Sequence, residues 1–365
     1  MAVWQCRAEQ RPLLGLLGVE PGRISGSLAR LLAVLGVVAP YELAARLAKT
    51  LLGVDVSAMT VWRAVQRLGA TVDEHCSKVA AYHADNRSDA AAPSDPPDAV
   101  VIAVDGCALG MRTRERRRRR SASGEALQPL PETENGGFRE VKTGVLLLPD
   151  ERIQPCPGRR SVMRRVLVTC LGDADAIFDR IWAQLQELGW LGKKTVAVIV
   201  GDGAPWIWNR AALYPRRCEI LDFWHAIERA WEFARLRYGK ESKLALRWVN
   251  KIAKDLRAGH VEKVITRLKR LSVPPGETQD KLTDLIRYYT NNSCRMRYDE
   301  YMRLGYGIGS GAVESAHKQV IHARLRQAGM RWSEVGARRL LALRLLLLNN
   351  SWKTVDRVRM HTIAA

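Results

Sequence analysis

The chain has 365 residues and a formal net charge of +20, with 58 Lys and Arg against 38 Asp and Glu. Its 47% hydrophobic residues exclude an intrinsically disordered chain, and its length suggests two or three domains. Surplus positive charge attracts polyanions, so nucleic acid is the favoured partner and an anionic membrane surface the second. No apolar stretch approaches the roughly 20 residues that a bilayer span needs, so we expect no membrane association and a cytoplasmic protein.

The first part of the chain, 1–84, has a helical pattern. Apolar residues from Leu28 onward recur at helical spacing until Pro40 ends the first helix, and a second helix is predicted over 41–52. Ser57 is the predicted N-cap of a third helix. A helix, a short glycine turn and a helix are typical of a helix-turn-helix, but also of an ordinary α-hairpin. In the first interpretation the outward face of the third helix contacts DNA through Thr60, Arg63 and Gln66.

Residues 85–98, rich in Pro, Ser, Ala and Asp, predict a linker. The apolar pattern then changes to the short β-branched runs of buried strands. A first strand over 100–104 ends in Asp105, and a later one over 195–201 ends in Asp202. Further strands are predicted over 141–148, 164–170 and 218–222, and a helix over 173–188.

From Trp224 to about Arg303 the pattern is helical almost throughout. A glycine-rich turn at 307–311 then leads into a helix over 312–327 that carries Glu314, and an apolar helix follows over 333–349. The arginine run 112–120 is expected to contact phosphates without sequence specificity. Its central members are Arg116, Arg117, Arg118 and Arg119.

Three acids, Asp105, Asp202 and Glu314, stand in similar settings, since two follow buried strands and one is near a helix start. Hard divalent cations prefer oxygen ligands, and a few carboxylates that leave room for phosphate hold Mg²⁺ in this way. Two ions can activate a hydroxyl and stabilise the leaving oxygen in phosphoryl transfer. Each Asp-Gly pair alone is more often a plain turn, so the prediction of strand cutting or transfer depends on the order of the three.

That order resembles the catalytic core of the DDE superfamily, and the local motifs resemble those of ISKra-like insertion-sequence transposases. The motifs that carry the resemblance are VIAVDG (101–106), REVKTG (139–144), GDGAPWIWN (201–209), DFWH (222–225) and GIGSGAVESA (307–316). The resemblance covers roughly residues 15–350. It implies an α/β fold, a ribonuclease-H-like catalytic domain with a helical insertion, preceded by an all-α helix-turn-helix region.

The resemblance also implies a division of the chain and roles for its residues. Asp105, Asp202 and Glu314 are the implied catalytic triad that binds two Mg²⁺ or Mn²⁺ ions. Asp222 and His225 are implied to anchor the insertion or to support the triad without binding metal. The local sequence equally suggests that Asp222 caps a helix. Lys318 and Arg324 are expected near the cut strand. The expected segments are a DNA-binding region (1–84), the linker (85–98), the first part of the core (99–222), the insertion (223–306), the last part of the core (307–350) and a tail (351–365).

The expected function is that of a bacterial, nucleoid-associated transposase. It would bind the terminal inverted repeats of its element, cleave with metal ions, and join the freed 3′-hydroxyl to target DNA. Pairing two element ends implies a homodimer or a larger assembly. Two alternatives stay open: a nuclease of the same fold that cuts without joining, and a non-enzymatic DNA-binding relative of a transposase.

Overall fold

The computed structural model describes residues 19–20, 24–87, 93–112, 137–156, 159–162 and 164–364. Arg116 to Arg119 lie outside these residues. The chain forms two compact units, one of residues 1–76 with 332–365 and one of residues 77–331. Within the described residues, no helix is both long and apolar enough to cross a membrane.

The helices and strands follow one another along both units. In chain order they are β1 (Val19–Glu20), β2 (Ile24–Ser25), α1 (Gly26–Val38), α2 (Tyr41–Leu52), α3 (Ala58–Asp85), β3 (Ala99–Gly110), β4 (Phe138–Leu147), β5 (Arg152–Cys156), β6 (Arg159–Val162), β7 (Val166–Cys170), α4 (Ala174–Glu187), β8 (Val196–Gly201), α5 (Pro205–Ala211), β9 (Arg217–Leu221), α6 (Phe223–Tyr238), α7 (Lys243–Arg257), α8 (Val261–Lys269), α9 (Glu277–Asn292), α10 (Tyr298–Arg303), α11 (Gly311–His317), α12 (Ala323–Leu325), α13 (Glu334–Leu348) and α14 (Lys353–Ala364). A π-helical turn, Lys318–His322, connects α11 to α12.

The first unit is helical. Its core is formed by small and branched side chains of α1, α2 and α3, among them Leu32, Ala44 and Val61. Helix α13 packs on α1, and the buried Arg344 guanidinium donates a hydrogen bond of 2.8 Å to the Val37 carbonyl. The sequence-based division places 307–350 in the α/β core. This is wrong for α13, which lies in the first unit because its apolar side packs against α1.

The turn before α3 agrees with the predicted capping. The Thr60 amide donates a 3.1 Å hydrogen bond to the Ser57 hydroxyl, which confirms Ser57 as the cap. Arg63 is exposed and Thr60 is half-buried. Gln66 does not face outward as expected: it is buried, and its side-chain nitrogen donates to the Gly336 carbonyl at 3.5 Å. The expected outward, DNA-contacting position of Gln66 is therefore wrong, because the side chain is enclosed in the first unit.

The second unit is built on a five-stranded sheet with the order β7-β4-β3-β8-β9. Strand β4 pairs antiparallel with both of its neighbours, β3 and β7. Strand β8 pairs parallel with both of its neighbours, β3 and β9. The mixed α/β fold class and the five predicted strands are thus confirmed. The small antiparallel pair β5–β6 was not expected from the sequence. Strand β3 is also longer than expected, so Asp105 lies within it and not just beyond its end.

The two faces of this sheet differ. Val100, Ile102 and Val104 of β3 pack with Ile177 and Ile181 of α4 in one core. Because side chains alternate along a strand, Asp105 belongs to the opposite face. There α11 packs against β3 and β4. Helices α6 to α10 lie between β9 and α11 in the chain, as the helical pattern predicts, and α7 and α9 pack on α6.

The glycine that ends α2 offers a test of the turn. Gly53 has φ +67°, and a Cβ added to it would meet no heavy atom within 4 Å, so a side chain there meets backbone strain and no clash. We expect Gly53→Ala to lower the free energy of unfolding by about 1 kcal/mol. Gly53→Asn is the matched control and should cost clearly less, since Asn tolerates the left-handed region. Denaturant unfolding followed by circular dichroism measures both, and equal losses would contradict the strain argument.

Candidate functional site

Two carboxylates meet at neighbouring parallel strands. The register of β3 with β8 ends at the pair Ala103 and Val200, and Asp105 and Asp202 each follow two residues later in the chain. Both side chains are half-buried. Burial, reinforced by the negative charge of Asp202, raises the pKa of Asp105 to about 6. Two carboxylates in a partly buried place repel each other and are stabilised by a cation between them.

Each carboxylate has one oxygen held by the backbone. The Gly106 amide donates to Asp105 Oδ1 at 2.7 Å, and the Ala204 amide donates to Asp202 Oδ1 at 3.0 Å. The second oxygen of Asp105 lies 3.8 Å from His317 Nδ1. The carboxylates are therefore oriented by backbone amides one or two residues further along the chain, and each keeps an oxygen for a further ligand.

Helix α11 lies over Asp105 through His317. This imidazole is buried, and its burial together with the nearby His322 lowers its pKa to about 4, so it is neutral near pH 7. Glu314 is three residues earlier on the same helix and is exposed. In the described part of the chain its carboxylate has no side-chain hydrogen bond or ion pair. Glu314 is thus presented on the helix that contacts Asp105, without a competing partner.

The side chains gathered here form only part of a Mg²⁺ site. Mg²⁺ keeps several waters and is commonly held by one or two carboxylates, which the pair Asp105 and Asp202 can supply. Across the described residues, no group of three or more His, Cys, Asp or Glu is arranged to hold a metal ion. The structure therefore brings together two members of the expected triad, and ligation by Glu314 and the second ion stay predictions.

Asp222 follows β9 and is buried, 1% exposed. Its Oδ1 accepts the Trp224 and His225 amides at 2.6 and 3.2 Å, which confirms that it caps α6. Its Oδ2 accepts the Ser310 amide at 2.5 Å. The Phe223 amide also donates to the Ile308 carbonyl at 2.8 Å. One carboxylate thus caps α6 and fixes the glycine-rich segment that precedes α11.

His225 places a positive charge near the carboxylate pair. Its Nδ1 lies 3.6 Å from Asp222 Oδ2, an ion-pair distance. Asp222, with smaller contributions from Asp105 and Asp202, raises the pKa of His225 to about 9. Burial raises the pKa of Asp222, but His225 and the Ser310 amide outweigh it and hold that pKa below its usual value. His225 is therefore an imidazolium at neutral pH.

Sequence reasoning did not find Tyr288 of α9. Its hydroxyl donates a 2.7 Å hydrogen bond to the Asp202 carbonyl. Gly203, the next residue, has φ +99°, and a Cβ there would lie 3.0 Å from Tyr288 Cε2. The Asp-Gly pair after β8 was the available signal for this close approach. Beside it is a cavity of about 480 Å³, whose lining includes Tyr288, Trp208 and Arg229.

The two basic residues expected near a cut strand have different positions. Lys318, at the start of the π-helical turn, is exposed. Arg324 is 1% exposed and its guanidinium lies 4.0 Å from the Met330 sulfur. The prediction that Arg324 lies near a cut DNA strand is therefore wrong, because the side chain is buried within its own unit.

In comparisons with known proteins, no family model and no curated protein matches the chain.

Removing the Asp222 carboxylate tests how much it contributes to the stability of the fold. Asp222→Ala leaves three amides without their acceptor, one of them in a buried hydrogen bond, so we expect a loss of about 3 kcal/mol or more in the free energy of unfolding. Asp173→Ala is the matched control, because the exposed Asp173 caps α4 through a single 2.9 Å bond from Ala176. It should cost about 1 kcal/mol. Denaturant unfolding compares the two, and similar losses would contradict the role assigned to Asp222.

The raised pKa of His225 predicts a pH dependence of stability. The folded state holds the proton more tightly than the unfolded chain, so this stabilisation is complete below the ordinary pKa of 6.5 and is lost as pH rises through about 9. We expect His225→Gln, and equally Asp222→Asn, to flatten the decline in stability across this window. Thermal unfolding measured at several pH values tests it, and an unchanged decline in both variants would contradict the ion pair.

Proposed function

We propose that the chain is the DNA transposase of an insertion sequence, with a ribonuclease-H-like catalytic domain. The observation that carries the proposal is the pair Asp105 and Asp202 at adjacent strands, with the helix of Glu314 packed over Asp105. The chain around this acidic pair has a net charge of +20. Carboxylates inside a basic protein suit a polyanionic substrate that is bound by cations and cut at the acids.

The observed order of elements supports the fold assignment. Strand β3 with Asp105, strands β4 and β7, helix α4, strand β8 with Asp202, strand β9, the insertion and α11 follow one another as the DDE resemblance implies. The helices between β9 and α11 take the place of the implied insertion. Their connection to the site through Asp222 and Tyr288 agrees with an insertion that supports catalysis.

Different residues of the chain would have different roles in the reaction. Asp105, Asp202 and Glu314 would hold Mg²⁺ or Mn²⁺, which when bound activates the attacking oxygen and stabilises the leaving oxygen. The amides of Gly106 and Ala204 orient the two aspartates. The His225 imidazolium offsets part of the negative charge that would otherwise repel a phosphate. DNA would also be bound by Arg63 of α3, by Lys318 and by the arginine run 112–120, most of which lies outside the described residues.

The partners follow from this reaction. The protein would bind the terminal inverted repeats of its own element and a target duplex, and the need to hold two ends together implies at least a homodimer on DNA. A nuclease that never joins, and a DNA-binding relative without activity, differ from this proposal in their products. Joined products identify a transposase, and cleavage products without joining separate a nuclease from an inactive relative.

Replacing the paired carboxylates tests the proposal. Asp105→Asn and Asp202→Asn keep the side-chain shape but remove the charge that a cation needs, so Mg²⁺-dependent cleavage and joining should fall to background while DNA binding persists. Asp98→Asn is the matched control, because the exposed Asp98 precedes β3 at the opposite end of the strand. The assay incubates labelled element ends with a target plasmid and Mg²⁺.

The products decide between the alternatives. Cleavage retained by both Asn variants would overturn the assignment of the pair. Cleavage by the natural chain without joined products would favour the nuclease, and binding without any product would favour the inactive relative.

A further inference from the structure

Helix α7 of the insertion has one strongly basic face. Its exposed cations recur three or four residues apart, so they lie along one side of the helix. The opposite side is buried through Ala245, Val249, Ile252 and Leu256. We call these cations the α7 stripe: Lys243, Arg247, Lys251, Lys254 and Arg257.

The charge of the α7 stripe is not neutralised inside the protein. Among the described residues, Lys243, Arg247, Lys251 and Lys254 have no side-chain hydrogen bond or ion pair. The only acid of the helix is Asp255, and its carboxylate is bound by Arg267 of α8 at 2.6 Å. Five cations against one acid leave this single helix with a net charge of +4. An uncompensated row of this kind destabilises an isolated helix by repulsion and is relieved by a polyanion.

The α7 stripe leads to the candidate site. Its last member, Arg257, lies with its guanidinium carbon 4.4 Å from the centre of the Phe223 ring and 5.7 Å from that of Trp224. Trp224 in turn covers the glycine-rich segment, since a Cβ on Gly309 would lie 2.8 Å from its Cδ1. The next residue is Ser310, whose amide is held by Asp222. The row of cations therefore ends beside the residues that position α11 and Glu314.

The dimensions of the stripe fit a nucleic-acid backbone. Fourteen residue steps at 1.5 Å give about 21 Å between the ends of the stripe. One strand of a duplex has a phosphate for every 3.4 Å of axis, so about six phosphates fit along this length. Lysine and arginine side chains at such spacing neutralise phosphates without reading bases.

We propose that the α7 stripe binds the sugar-phosphate backbone of duplex DNA that enters the candidate site. This inference rests on the proposed function for the identity of the site, and it adds a binding surface outside the acidic pair. The contacts are independent of base sequence, so they hold the flanking duplex in place while other parts of the chain select the element end.

The test measures how binding depends on salt. The probe is a short duplex oligonucleotide of arbitrary sequence, without divalent ions, and the variant is Lys251→Gln/Lys254→Gln. Each lost phosphate contact lowers the slope of log affinity against log salt by about 0.9, so we expect a decrease of about 1.8 and at least about tenfold weaker binding at low salt. The matched control is Lys193→Gln/Lys194→Gln, which removes two exposed lysines before β8, at the opposite end of that strand from Asp202.

A control that loses as much slope as the stripe variant, or a stripe variant with the natural slope, would overturn the proposal. If the stripe variant lost affinity only for a single-stranded probe, the proposal that the stripe binds duplex DNA would be overturned. If the double variant does not fold, Arg247→Gln replaces it, with an expected decrease of about 0.9. The binding assay involves no cleavage, so a stripe that binds DNA in a chain without joined products would retain this inference while the transposase proposal fails.

Discussion

The second unit depends on one buried carboxylate. Asp222 is almost inaccessible to water, and a buried charge is tolerated only when its oxygens are hydrogen-bonded. It accepts two amides from the start of α6 and one from Ser310, which is 88 residues later in the chain. Because the same group bonds to both segments, the start of the insertion and the approach to α11 are fixed together. The position of Glu314 therefore depends on a residue that need not touch substrate.

The charges around Asp105 and Asp202 are arranged in layers. The acidic pair is at the centre, and its mutual repulsion contributes to the raised pKa of Asp105. The His225 imidazolium is close enough for both aspartates to act on its pKa, and Arg257 at the end of the α7 stripe lies against Trp224. Negative groups that must approach phosphate need compensating cations at a distance, since adjacent cations alone would only neutralise the acids. This layering explains how a strongly basic chain can contain an acidic centre.

The helices between β9 and α11 contribute directly to the candidate site. Tyr288 of α9 donates a hydrogen bond to the Asp202 carbonyl, and its ring lies only 3.0 Å from where a Cβ on Gly203 would be. Trp224 and Arg257 connect α6 and α7 to the segment before α11. Side chains of these helices bond to the backbone at Asp202 and at Ser310, which restricts the movement of the segments that carry the carboxylates.

The sequence by itself determined what depends on neighbours along the chain. Helical apolar spacing predicted most helices, and short runs of apolar β-branched residues predicted all five strands of the main sheet. The caps at Ser57 and Asp222 are local as well, because a cap bonds to amides two or three residues away. That Asp105 and Asp202 follow neighbouring positions of two paired strands was not visible in the sequence, because the pairing of β3 with β8 joins segments about 97 residues apart.

Only the tertiary structure decided which polar groups are enclosed and which distant segments meet. Gln66 and Arg324 are of residue types that often contact DNA, yet packing buries both side chains. The apolar pattern of α13 predicts a helix but does not identify its partner, which is α1 in the other part of the chain. Tyr288 and His317 reach the aspartates across 86 and more than 200 residues of sequence. Such contacts have no period or spacing, because they arise from the way whole elements pack.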